Sequence, residues 1–173
     1  TGDAVSVDET AGLQADSNDT SNAGVIALFA GVANKGVDPD MAAQYGANAS
    51  AIVATTGSAY GSDGAGTTVL SLNVSSAGVD SGLDTTDGHN ILLFKEGDLI
   101  VGRVSGGADD GKAAFAIAID QTGHISMVEW LSIQHPNTGS ADESVSIANG
   151  AVLAVVTATD NDGDFSTAST AIG

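Results

Sequence analysis

No cysteine occurs anywhere in the chain. Disulfides and thiolate metal sites are therefore unavailable, which excludes zinc ribbons and dithiol redox chemistry. Positive charge is nearly as scarce: Lys35, Lys95, Arg103 and Lys112 stand alone against 22 acidic residues, and the net charge is −18. Such a surface repels polyanions, so nucleic acid and anionic membranes are not expected partners. The chain has only two prolines and seven aromatic rings (four Phe, two Tyr, one Trp). With so few rings to fill a core, Phe94 and Trp130 are expected inside it rather than on a binding face. The compact apolar run, residues 24–33, is about half the length a bilayer requires. With no basic leader at the start, the expectation is a soluble segment of a larger secreted protein, without membrane insertion.

Catalytic signatures are missing too. The stretch 61–68 resembles a phosphate loop until Thr67 stands where the lysine is required. There is no G-x-S-x-G elbow and no H-E-x-x-H pair. His89, His124 and His135 lie too far apart for a helical zinc pair. The chain is expected to be a binding protein, not an enzyme.

Acid is what the chain has in abundance, and it is mostly short acid: 18 Asp to 4 Glu. Aspartate disfavours helix interiors and favours turns and hard-cation sites, and so large a net charge favours neutralisation by divalent cations. Calcium is the expected cofactor. At 173 residues the chain is long enough for one domain with a substantial core, and residues 1–173 are read as a single unit.

Hydrophobic periodicity points to strands. Runs 91–95 and 98–104, joined through Glu96-Gly97, read as a tight hairpin, and 67–74, 112–120, 124–133, 151–159 and 165–172 read as further strands. Alternation also predicts an edge strand over 1–9 and short strands over 51–55 and 144–148. In 112–120, Phe115, Ile117 and Ile119 share one side and alanines the other, which suggests that both faces are covered. Asn or Ser near residue 22 predicts a helix over 23–34 closed by Gly36, and Asp38-Pro39-Asp40 predicts a helical turn through 41–45. The expected fold is mostly β, an antiparallel β-sandwich with one or two short helices in an insert over 23–66.

Asp160, Asp162 and Asp164 alternate around Gly163, a spacing calcium accepts, although the glycine falls fourth rather than sixth and Ala171 stands where an EF-hand needs its twelfth-position Glu. A solvated acidic turn would read the same way. Residues 80–89 offer Asp80, Asp84 and Asp87 with Thr85, Thr86 and His89, and the N-terminal part offers Asp8, Glu9, Asp16 and Asp19. The loop 105–111, with Ser105, Gly106, Gly107, Asp109 and Asp110, is a candidate ligand-facing segment, since its glycines could present amides to a bound chain.

Six segments in order, VDETAGLQ (7–14), GLDTTDGHNILLF (82–94), IVGRV (100–104), AFAIAID (114–120), VEWLSIQHP (128–136) and VTATDNDGDFSTA (156–168), together resemble a domain that recurs in very large repeats-in-toxin (RTX) adhesins of Gram-negative bacteria. The resemblance implies a calcium-dependent extracellular β-sandwich at the bacterial cell surface. Its expected partner is a short peptide or surface protein of another cell, or a glycan, beside neighbouring domains of the same adhesin. It implies calcium ligation at Asp8, Glu9, Asp84, Asp87 and residues 160–164. A passive, calcium-rigidified extender and a carbohydrate-binding module are the other functions compatible with these residues. The 173-residue length and irregular insert favour a binder over an extender, and the few exposed-ring candidates, Tyr45, Tyr60 and Trp130, disfavour sugar.

Overall fold

A computed structural model describes residues 5–9, 18–54, 64, 66–136 and 144–172. One short helix and nine strands follow in chain order: α1 (Ala23–Leu28), β1 (Gln44–Ala47), β2 (Thr67–Val74), β3 (Val79–Asp84), β4 (Asn90–Glu96), β5 (Leu99–Val104), β6 (Ala113–Ile119), β7 (Ile125–Glu129), β8 (Val152–Thr159) and β9 (Phe165–Ala171). They form a β-sandwich of two antiparallel sheets, one ordered β1-β7-β6-β5-β4-β3 and the other β2-β8-β9.

The main core lies between the sheets, where Leu70 and Leu72 of β2 meet Ile91, Leu93, Ile100 and Phe115 of the larger one. These side chains are buried almost completely, each worth roughly 1.5–3 kcal/mol of transfer free energy. Both faces of β6 are covered, as its alternation implies. Phe115 and Ile117 look into the sandwich, while Ala113, Ala116 and Ala118 join Phe29, Val101, Val128 and Trp130 in a second apolar cluster outside it. Small side chains on that outer face let the chain after α1 lie close, and Phe29, 1% exposed, is its plug. Trp130 is buried there, with Lys35 Nζ 5.6 Å above its ring, whereas Phe94 is only half-buried.

Several local expectations are corrected. The helix stops at Leu28 instead of running to residue 34. Asn22 does cap it, accepting from Gly24 N at 2.8 Å, but the amides of Phe29, Ala30 and Val32 bond three residues back, a tightening turn that swings Phe29 inward. Residues 41–45 are not helical. Asp38 caps as expected, its Oδ1 accepting from Asp40 N and Met41 N, yet the next residues become β1 because Gln44 pairs with Glu129 on β7. A few alanines cannot nucleate a helix against a sheet edge offering four residues of pairing. Residues 5–9, 51–54 and 144–148 belong to no strand; each is tied by isolated bonds such as Asn18 N to Ser6 O and Ala148 N to Ser81 O. Residues 1–4 and Thr55 lie outside the described set.

Conversely, β3 forms from Val79–Asp84, a stretch rich in Asp, Ser and Gly that reads as loop. Pairing with β4 and complete burial of Ser81 outweigh its poor intrinsic strand preference. The β4–β5 turn sits one place later than expected, on Gly97-Asp98, with Glu96 opposite Leu99 and Gly97 at φ 62°. Among the described residues no helix is long and apolar enough to cross a membrane.

Candidate metal centre and polar cleft

The β8–β9 turn brings Asp160, Asp162 and Asp164 together, one carboxylate oxygen from each lying within 4.8 Å of the others. That spread suits calcium, whose oxygen ligands sit about 2.3–2.6 Å from the ion. Asp160 organises the turn: its Oδ1 accepts from Gly163 N at 3.2 Å and Asp164 N at 2.9 Å, and Gly163 adopts φ 100°. Its carboxyl is held below the usual aspartate range by Asp162 above all, with these amides adding to it against an opposing desolvation effect. Asp162 and Asp164 are exposed. The donor set therefore fits a hard divalent cation, and its identity is not otherwise marked.

A second place gathers acids from segments far apart in sequence. Asp38, Asp40, Thr85, Asp87, Asp109 and Ser132 line one polar cleft of about 230 Å³. β3 and β4 deliver Thr85 and Asp87 on the loop between them, and β5 and β6 deliver Asp109 on theirs. These loops leave the same end of the larger sheet and interlock: a Cβ on Gly107 would collide with His89 Nε2, and Gly106 and Gly107 hold φ 103° and 71°. Asp38 is anchored by Ser132, whose Oγ and N donate to Asp38 Oδ2 at 2.8 and 3.2 Å. Asp40 N leads the donors that pull the Asp38 carboxyl below its ordinary range, against a desolvation effect.

Not every sequence candidate reaches the cleft. Asp87 and Asp109 do. Asp84 does not line it; its carbonyl accepts from Gln134 N at 2.8 Å. Ser105 and Gly106 spend their amides inside the fold, on Asn90 O and Asp110 Oδ1 respectively, so those two amides are not left to hold a bound chain. Asp110 thereby closes its own loop. Asp109 also accepts from Lys112 Nζ at 2.6 Å. Asp16 lies outside the described residues.

A family profile described as a domain of unknown function (DUF5801) matches residues 4–173. The chain belongs to this family. Searches of curated proteins and of solved structures give no match. The match runs through every acidic group named so far, so within this DUF5801 chain the functional reading must come from the residues themselves.

The remaining N-terminal candidates are drawn to a third place. Asp8 N donates to Asp19 Oδ1 at 3.1 Å, and Glu9 Oε1 accepts from Ile133 N at 2.7 Å. The surprise of the DUF5801 fold is Glu129, which lies beneath them. It is 6% exposed, and burial first, then a hydrogen bond with Glu9 and the charges of Glu9, Asp19 and Asp38, push its carboxyl up to about 9. The sequence carried one hint of it, since Glu129 breaks the apolar alternation of its strand.

Proposed function

We propose that this domain is a calcium-dependent extracellular adhesion module that binds a short peptide in the cleft between Asp38, Asp87 and Asp109. One observation carries the reading: three aspartates separated by tens of residues converge with Thr85 and Ser132 on one polar cleft. Oxygen donors of this kind are what calcium selects. Asp87 is exposed at the cleft and available for such a role. When bound there, calcium would supply a positive centre for an acidic or C-terminal carboxylate group of the peptide. Asp38 is pre-oriented by Ser132, and Asp109 is oriented by Lys112. The Asp160–Asp164 turn is not among the residues lining the cleft, and its role is to neutralise and stiffen the β8–β9 hairpin. The resemblance to RTX adhesin domains supports the extracellular setting, and no catalytic role is proposed.

The test is retention on an immobilised hexapeptide library synthesised with free and with amidated C-termini, in calcium and in EDTA. Calcium-dependent retention on free C-termini, weakened at least about tenfold (roughly 1.4 kcal/mol) by Asp87→Asn, is expected. Retention that persists in EDTA while the domain stays folded sinks the proposal.

A further inference from the structure

The three-stranded sheet lies over β4, β5 and β6 and leaves the inner face of β7 and β1 to another cover. Residues 5–9 provide it. They cross β1 so closely that a Cβ on Gly46 would come 2.8 Å from Ser6 O and 2.9 Å from Val7 Cγ1. Glu129, at the end of β7, sits under this segment.

Its environment is unusual for a carboxylate. Glu129 is 6% exposed, and its Oε1 has no hydrogen-bond partner. Glu9 is hydrogen-bonded to it from the covering segment, and Asp19 and Asp38 add their negative fields. Three of the four Lys and Arg side chains are engaged elsewhere: Arg103 pairs with Glu96, Lys112 with Asp109, and Lys35 donates to Ala30 O. Burying one unpaired carboxylate costs several kcal/mol, and gathering further acids around it raises that cost. A neutral pair formed by one proton would relieve the charge but leave Oε1 orphaned. A divalent cation relieves both.

We propose that Glu129, Glu9 and Asp19 hold a buried divalent cation, of the calcium class, that staples residues 5–9 onto the inner face of β7. The site is distinct from the Asp160–Asp164 turn and stands whether or not the cleft binds a peptide. All-oxygen donors with no imidazole or thiolate favour calcium over zinc. Glu9 and Glu129 already touch. Binding would draw the three carboxylates closer together, because among the described residues only the Asp160–Asp164 group has its oxygens all within 4.8 Å. Asp8 N on Asp19 Oδ1 and Ile133 N on Glu9 Oε1 orient these two ligands from behind. One ion would thus join the N-terminal segment and residue 19 to the end of β7, more than a hundred residues downstream.

The experiment starts from a D160N/D162N/D164N variant, which removes the turn ion. Bound calcium is counted by atomic emission after equilibrium dialysis. Terbium emission is excited through Trp130, the sole tryptophan and the neighbour of Glu129 in sequence. The expected result is one ion beyond any that D87N removes, with tryptophan-sensitised emission, both lost on adding E129Q. E9Q, at the half-buried covering segment, serves the same purpose should E129Q not fold, and D87N separates any ion held at the cleft. A background variant that binds no ion beyond the one D87N removes overturns the proposal. So does an ion count that E129Q and E9Q leave unchanged, which would make Glu129 and Glu9 a proton-sharing pair.

Discussion

Asp120 shows how a single carboxylate shapes a turn here. Its Oδ1 accepts from Thr122 N, Thr122 Oγ and His124 N at 2.7–3.0 Å, and Gly123 takes the positive φ of 91° that closes the β6–β7 hairpin. Partial burial pushes its carboxyl up, but these hydrogen bonds outweigh that and hold it below the ordinary aspartate range. A depressed acid stabilises the fold above its unfolded value near 3.8, and that contribution fades as pH falls through the lower folded value. Asp120→Asn keeps the acceptor and loses the charge. Melting curves should find it less stable than wild type at pH 7, with the difference closing as the pH falls below about 4; an unchanged acid limb would show that Asp120 does not contribute. The glycine of this turn and the capping role of Asn22 were legible from residue type alone. Glu129 was not, because its burial depends on a covering segment more than a hundred residues upstream.

At the scale of elements, α1 is a six-residue helix with no buried residue of its own, held by the plug that follows it. Phe29→Ala should cost about 3–5 kcal/mol, as truncation of a fully buried aromatic does, and urea denaturation would measure it. A loss below about 1 kcal/mol would mean that the outer cluster contributes little. The same cluster explains why the helix reading ran too long. Periodicity through residues 23–34 is apolar enough for a helix, but Phe29 must turn inward to the alanines of β6, and the chain leaves helical geometry to bring it there. β3 escapes the sequence pattern for the converse reason: Asp80, Ser81 and Gly82 look like loop, and pairing with β4 makes them strand. Arg103 joins elements in the same way. Its guanidinium grips Glu96 at 2.6 and 2.8 Å and reaches the carbonyls of Ala33 and Gly111, tying hairpin, insert and loop together.

For the whole molecule, charge dominates. A net −18 on a domain this size sets self-repulsion against compactness. Sodium chloride should raise the melting temperature modestly by screening, and millimolar calcium should raise it further than sodium at equal ionic strength, because ions held by the gathered carboxylates stabilise the folded state beyond screening. Differential scanning calorimetry at matched ionic strength checks this. Identical curves in the two salts would mean that the aspartate turns are merely solvated. The sandwich architecture and both main hairpins were readable in advance, since alternation of Val, Ile, Leu and Phe with small or polar residues has one period and survives in any context.

Local chemistry settled the things that depend on near neighbours: the strand alternation of β2, β4, β5, β6, β8 and β9, the turn glycines at Gly97, Gly123 and Gly163, and the aspartate triplet of residues 160–164, whose ligands lie within five positions. Packing settled the things that depend on distant ones. Asp38, Asp87 and Asp109 reach a common cleft because two loops leave the same sheet end and Ser132 fixes Asp38 beside them. Glu9 meets Glu129 because the smaller sheet is too narrow to cover β7, and the N-terminal segment takes its place. Pattern along a chain reports which way a side chain faces, but which segment lies above it is decided by how two sheets of unequal width close on each other.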